Sequence, residues 1–220
     1  MPRQPDDLDI YQPFVYSETQ MSDYLKRTAL LTTPGSTYLY SNTGMGLAGY
    51  IIRQITDTSF SQYVKNKIFM PLNMNATYCD NTETPSSNVA QGYRGNETAE
   101  FFEFSEVFAS AGNIKSNMHD MLIYLNNAMN TNNSIYKDAF EFAEKQTFDT
   151  GDDMQIALGW HLSDLEKNKI IWHNGGTIGF ASFLGFNKIS KYGVVVLINS
   201  NCIVEQNNLG FEILRTLDKY

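Results

Sequence analysis

The apolar pattern changes period partway along the chain, and that change restricts the fold more than any other feature of the sequence. Up to about residue 150 the apolar residues recur at helical spacing; from Asn42 onward Leu47, Ala48, Ile51, Ile52 and Ile55 fall three and four residues apart. The spacing predicts further helices over about residues 17–30 and from about Ser59 to just before Pro71, where proline cannot continue the helix. The helices from Asn42 and from Ser59 are expected to pack through one apolar stripe each. Met121, Leu122, Leu125 and Met129 share a face of another helix, with Ser116 as N-cap and Asp120 near the positive end of its dipole. One more is predicted over about residues 134–145, with Ser134 as N-cap. After Gly151 short segments rich in β-branched and aromatic residues take over, at about 154–162, 169–173, 180–186 and 192–198. Consecutive strands with short turns predict an antiparallel sheet, and a final helix over about 204–217 would cover one of its faces. The fold class is therefore α+β, helices first and sheet last. Residues 73–106 lack periodicity and are expected to form a long surface excursion.

Charge excludes one class of partner. The formal charge is −8, and the 16 lysines and arginines are scattered, leaving no basic surface for a phosphate backbone. Nucleic acid is not an expected partner. No apolar run approaches the roughly 20 residues that span a bilayer, the most apolar stretch being Val194 to Ile198. The polar start, Met-Pro-Arg-Gln-Pro-Asp-Asp, is not a secretory signal. Cys79 and Cys202 lack a CxxC spacing and are expected to be ordinary thiols. No Gly-x-Ser-x-Gly elbow, His-Glu-x-x-His or phosphate loop occurs, so neither a metal nor a cofactor is expected. His119 and His161 stand isolated in the sequence and are expected to be surface or satisfied core residues.

Two segments carry possible chemistry. In Pro34-Gly35-Ser36-Thr37-Tyr38-Leu39-Tyr40-Ser41-Asn42-Thr43-Gly44 a Tyr-x-Asn leaves an extended stretch and enters a helix, so that the Tyr40 hydroxyl and the Asn42 amide can face one cavity. A helix cap preceded by an aromatic residue explains the same triplet. In Trp172-His173-Asn174-Gly175-Gly176-Thr177 a strand ends in a polar, glycine-rich edge whose N–H groups could donate to an oxyanion. A plain β-turn explains that one equally.

In this order and about 130 residues apart, the two segments resemble the second and third motifs, Tyr-x-Asn and Lys/His-x-Gly, of the class C β-lactamase and DD-peptidase superfamily of penicillin-recognising serine hydrolases. Ser110-Ala111-Gly112-Asn113-Ile114-Lys115-Ser116 resembles the family's small-Gly-Gly-x-x-Ser segment, Leu158-Gly159-Trp160 its Gly-Trp strand, and residues 192–200 its last strand. The resemblance implies a small-molecule or peptide substrate bearing an amide, ester or β-lactam bond, attacked through an acyl-enzyme. It implies that Tyr40 moves protons at the reacting centre, a role worth about 10² to 10⁴ in rate. Asn42 would orient the substrate amide, His173 and Gly175 would bind the substrate, and the Gly176 N–H would form half of an oxyanion hole. These residues are expected to line one cleft. Histidine in place of lysine binds a carboxylate less strongly, which tilts the reading away from a dedicated β-lactamase and toward DD-carboxypeptidase-like or esterase-like chemistry.

One departure outweighs these matches. The family's nucleophile motif, Ser-x-x-Lys, lies upstream of Tyr-x-Asn, and nothing before Tyr40 fits it. The only such spacing is Ser134-Ile135-Tyr136-Lys137, after Tyr-x-Asn and at an expected helix start. The chain is thus expected to be the C-terminal two-thirds of such a hydrolase, one incomplete domain over residues 1–220. About 1–150 would be a mainly helical part, and about 151–220 sheet and final helix. Met1 would be an internal methionine and the nucleophile would be encoded upstream, leaving the lone chain inactive with apolar surface and a sheet edge exposed. The alternatives are a non-catalytic binding or interaction module that keeps the cleft, and an enzyme completed by a second polypeptide. Oligomeric state and compartment stay open.

Overall fold

The computed structural model describes residues 1–8, 15–80, 82–101, 103–130, 132, 134–165 and 168–219. They divide into two compact units, residues 1–89 with 103–116, and residues 90–102 with 117–220. Helices and an antiparallel sheet make the fold α+β, as the change of period predicts.

The first unit is built on helices. α1 (Glu18–Arg27) opens with a capping box, in which the Ser17 hydroxyl accepts from the Gln20 N–H and the Gln20 side chain accepts from the Ser17 N–H. Its buried residues Met21 and Tyr24 join Tyr16, Val107 and Phe108 in the core of the unit.

α2 (Asn42–Thr56) departs from the expected pattern. Its buried residues are Thr43, Gly46 and Gly49, whereas Ala48, Ile51 and Ile55 are exposed, so the apolar stripe is not the packing face. The cause is the 3₁₀ segment Glu106–Ala111, packed so closely that a Cβ at Gly46 would lie 2.6 Å from a Phe108 ring carbon and one at Gly49 2.3 Å from the Ser110 hydroxyl oxygen. Close backbone approach overrides side-chain hydrophobicity here. The Ser110 hydroxyl then donates to the Met45 carbonyl at 2.6 Å.

Ser59 caps α3 (Phe60–Val64), which runs into a π-helical turn, Lys65–Phe69, before Pro71. Asn113, 4% exposed, clamps the Phe104 backbone from both sides: its Oδ1 accepts from the N–H at 2.8 Å and its Nδ2 donates to the carbonyl at 2.7 Å.

The second unit is a sheet between helices. β3 (Phe148–Asp149), β4 (Met154–Ile156), β5 (His161–Leu165), β6 (Asn168–Gly176), β7 (Ala181–Asn187) and β8 (Tyr192–Ile198) form an antiparallel meander in chain order. Because side chains alternate across a strand, Ile171, Leu184 and Phe186 pack on one face with Leu125 and Ala128 of α4 (Met118–Met129) and Phe140 of α5 (Lys137–Ala143). Ile170, Phe183, Val194 and Val196 pack on the other with Leu214 of α6 (Ile203–Leu217). Among the described residues β8 pairs only with β7, so it forms one edge of the sheet.

Four local expectations are corrected. Asn117, not Ser116, caps α4, its Oδ1 accepting from the Asp120 N–H, while the Ser116 hydroxyl shares a 2.7 Å hydrogen bond with that of Thr77. Ser134 does not cap a helix: its hydroxyl accepts from the Tyr136 N–H in a turn, and α5 starts at Lys137. The segment read as one strand over 154–162 is two, β4 and β5, divided by a turn in which Gly159 has φ +77°, a left-handed value that favours glycine. Finally, residues 73–106 contain a hairpin of β1 (Gly92–Arg94) and β2 (Glu97–Ala99), and the Tyr93 N–H donates to the Asn199 carbonyl at 3.0 Å. Cys79 and Cys202 are free thiols, the former buried. No helix among the described residues is long and apolar enough to cross a membrane.

The glycine face of α2 gives a sign test. Helix propensity alone favours Gly46→Ala by about 1 kcal/mol. Phe108 is fully buried and has no room to yield, and overpacking costs about 1 to 3 kcal/mol. We expect G46A to lower the urea midpoint; a raised midpoint would show that the ring moves freely.

Candidate active site

The Tyr-x-Asn segment lies in the first unit, where Ser41 organises it. The Ser41 hydroxyl accepts from the Gly44 N–H at 2.9 Å, capping α2, and donates to the Pro2 carbonyl at 2.6 Å. Tyr40 therefore ends the extended stretch and Asn42 begins the helix, the first exposed and the second half-buried. The Arg3 guanidinium lies 5.8 Å from the centre of the Tyr40 ring. The cap reading of this triplet holds for Ser41, and it leaves Tyr40 and Asn42 on either side of the cap.

The His-x-Gly segment lies in the second unit, on β6. Register with β7 pairs His173 with Leu184, Asn174 with Phe183, Gly175 with Ser182 and Gly176 with Ala181. Alternation puts His173 and Gly175 on the α4 side of the sheet and Trp172, Asn174 and Gly176 on the α6 side. The α6 side is fully committed: Trp172 packs against Phe183 and Phe211, with centroids at 5.9 and 5.1 Å, and Asn174 Nδ2 donates to Asn207 Oδ1 at 3.1 Å. Both glycines answer to the protein's own packing. A Cβ at Gly176 would lie 2.0 Å from the Ile203 Cδ1, and one at Gly175 2.8 Å from the Ser182 hydroxyl oxygen.

On the α4 side lies a cleft of about 200 Å³, lined by Met121 and Tyr124 of α4, by Trp160, and by His173, Ser182 and Leu184 of the sheet. Its walls are mostly apolar. Burial holds the His173 imidazole below the ordinary histidine pKa, although a hydrogen bond to the Asn174 carbonyl opposes the shift. That bond, 2.5 Å from Nδ1, is to a carbonyl, which can only accept, so it is made with a proton on Nδ1. Burial raises the Tyr124 phenol to about 12, with Glu144 adding to the shift.

Beneath His173 stands His161. The two rings stack at 5.0 Å with 22° between their planes, and His161 also lies 4.7 Å from Trp172. His161 is buried, and burial followed by the proximity of His173 pushes its pKa down to about 4. His161 is thus a core residue rather than a surface one, and it contacts a candidate site residue. The antiparallel pairing of β5 with β6 sets His161 opposite Trp172, which accounts for its contact with that ring. His119 is an exposed residue whose Nδ1 lies 3.1 Å from the Asp120 carboxylate.

The model of the beta-lactamase family matches residues 2–209. The chain belongs to the beta-lactamase family. The serine hydrolase superfamily inferred from Tyr-x-Asn and His-x-Gly is thus the right one. This beta-lactamase-family chain is 25% identical to a beta-lactamase of Escherichia coli (strain K12), over 76% of this chain and 53% of the relative. It is 27% identical to Protein flp of Staphylococcus aureus (strain N315), over 76% of this chain and 34% of the relative. The chain therefore spans between about a third and a half of these relatives' lengths. A solved class C beta-lactamase mutant shares the fold, with a TM-score of 0.83 at 22% identity, over 97% of this chain and 66% of that one.

The buried imidazole of His161 predicts a pH dependence. A histidine whose folded-state pKa lies below its ordinary 6.5 stabilises the fold while neutral. That stability is complete above pH 6.5 and is lost as pH falls toward the folded value of about 4. A shift of this size corresponds to about 3 kcal/mol at most. We expect the urea midpoint to fall between pH 6.5 and 4.5 and His161→Phe to flatten that slope; equal slopes would remove His161 as the cause.

Proposed function

We propose that this chain carries the second and third elements of a serine hydrolase acyl-transfer site and lacks its nucleophile. The observation that carries the reading is His173 standing at an apolar cleft on a strand that ends Gly175-Gly176, within a family of serine hydrolases. In this reading Tyr40 relays protons, Asn42 orients the substrate amide, and His173 and Gly175 hold the substrate. The Gly176 N–H polarises the reacting carbonyl, where a single donor is worth about 10² to 10³ in rate. The substrate class is an amide, ester or β-lactam. The apolar cleft and a His173 imidazole that burial keeps toward its neutral form favour an esterase-like or DD-carboxypeptidase-like activity of the complete enzyme over a dedicated β-lactamase.

Two observations support a missing nucleophile. The only Ser-x-x-Lys spacing is at Ser134, and that hydroxyl is engaged with the Tyr136 N–H in a turn. We also propose that residues 1–220 form one incomplete domain. The family match runs across both units, and the chain passes from one unit to the other three times, at about residues 89, 102 and 116.

The test is covalent labelling. Incubated with a fluorescent penicillin and with p-nitrophenyl butyrate, the chain should show no burst and no adduct by intact mass, because removing a nucleophile costs about 10⁶ in turnover. Benzylpenicillin at millimolar concentration should still shift the His173 imidazole resonances reversibly. A stoichiometric adduct on any serine would overturn the missing nucleophile; an unmoved His173 would overturn the site.

A further inference from the structure

The cleft holds one hydroxyl that belongs to neither motif. We propose that Ser182 is a specificity-determining residue: its hydroxyl, held over Gly175, selects ligands that set a carbonyl oxygen there at the end of an apolar arm, over apolar ligands of like shape. This rests on the reading of His173 and Gly175 as substrate-binding residues.

Register places the hydroxyl. On the α4 side of the sheet the residues of β6, β7 and β8 stand in rows, Gly175, Ser182 and Leu197 in one and His173, Leu184 and Val195 in the next. Ser182 is therefore on the middle strand, one row along from the candidate imidazole. Toward β6 it meets a position without a side chain, and its hydroxyl lies in that space. A Cβ at Gly175 would fall 2.8 Å from the Ser182 oxygen. Apart from the neighbours of Gly175 in the chain, no other atom of the described residues comes within 4 Å of that point. Gly175 thus makes room for a hydroxyl from the adjacent strand.

The surroundings make that hydroxyl selective. Ser182 is half-buried, and Met121, Trp160, Leu184, Val195 and Leu197 line the cleft with it. Among the described residues no group hydrogen-bonds its Oγ. Whatever covers Ser182 in the cleft therefore determines whether the hydroxyl is paired. A carbonyl oxygen accepts its O–H. A methylene in the same place removes the hydroxyl from water and returns no bond, the penalty by which a polar site rejects an analogue lacking the matching group. The apolar walls hold the arm in both cases, so they add affinity without choosing. Amides, esters and β-lactams all carry the required oxygen.

Two variants remove the contact by different routes. Ser182→Ala deletes the hydroxyl. Gly175→Ala keeps it but puts a methyl where it lies, and a serine side chain can turn to another staggered position, so the fold is retained with the hydroxyl displaced. Titrations with phenylacetamide, and with ethylbenzene as the ring without the carbonyl, are followed at the Ser182 and Gly175 amide and His173 imidazole resonances. In the wild-type chain phenylacetamide should shift all three. Each variant should weaken phenylacetamide about tenfold, the value of one hydrogen bond, and should not weaken ethylbenzene. The double variant should lose no more than either single one, because both remove the same contact. The urea midpoint of S182A should stay at the wild-type value, which separates a binding role from a structural one.

An S182A chain that binds phenylacetamide as the wild type does, or that weakens the two ligands equally, would overturn the proposal even if the glycine variant failed to fold. So would a double variant whose loss is the product of the two single losses. If phenylacetamide moves none of the three residues in the wild-type chain, the reading of the site fails as well, an outcome distinct from a wild-type response that S182A leaves unchanged.

Discussion

Strand β6 is gripped from one side and borders a cleft on the other. Trp172 is set between Phe183 and Phe211 and tied by its N–H to Ser163, Asn174 is bound to Asn207 of α6, and Gly176 lies against Ile203. Successive residues of a strand point to opposite faces. Fixing Trp172 and Asn174 toward α6 therefore fixes His173 and Gly175 toward the cleft. The position of the candidate substrate-binding imidazole is thus set by aromatic packing on the opposite face of the strand.

The same alternation explains what was legible in the sequence. Strand β8 was read over its whole length, and β6, β7 and α6 to within a few residues, because β-branched and aromatic runs bounded by turn residues have few other uses. The split between β4 and β5 was hidden because the turn depends on one left-handed glycine, Gly159, within an otherwise strand-like run. The packing face of α2 was misread for a related reason. Periodicity weighs side chains by hydrophobicity, but Gly46 and Gly49 pack by having no side chain, and the value of that appears only once Phe108 and Ser110 lie against them.

Site residues divided along the same line. Tyr40, Asn42, His173, Gly175 and Gly176 are candidates because motif order carries information about chemistry. The contact of His161 with His173 was not legible, because contacts between strands depend on pairing register, which is fixed by the turn and by the faces of the sheet. Gly176 shows that one residue can serve two demands. The motif reading assigns its N–H a role toward substrate, while its missing Cβ is required by Ile203 on the opposite face. The N–H role is open to any residue but proline, so it is the Ile203 side chain that bears on the choice of glycine.

The two edges of the sheet are unequal. β3 has two residues, one of them Asp149, a short and charged border that discourages further pairing. β8 has seven, Tyr-Gly-Val-Val-Val-Leu-Ile, without a charge or a proline. An open border of that kind is a template on which another strand of like character adds with its hydrogen bonds ready made. Such a border is where a second copy of the chain would add to this one, and a lysine at exposed Leu197 would oppose that addition while sparing the buried Val194 and Val196.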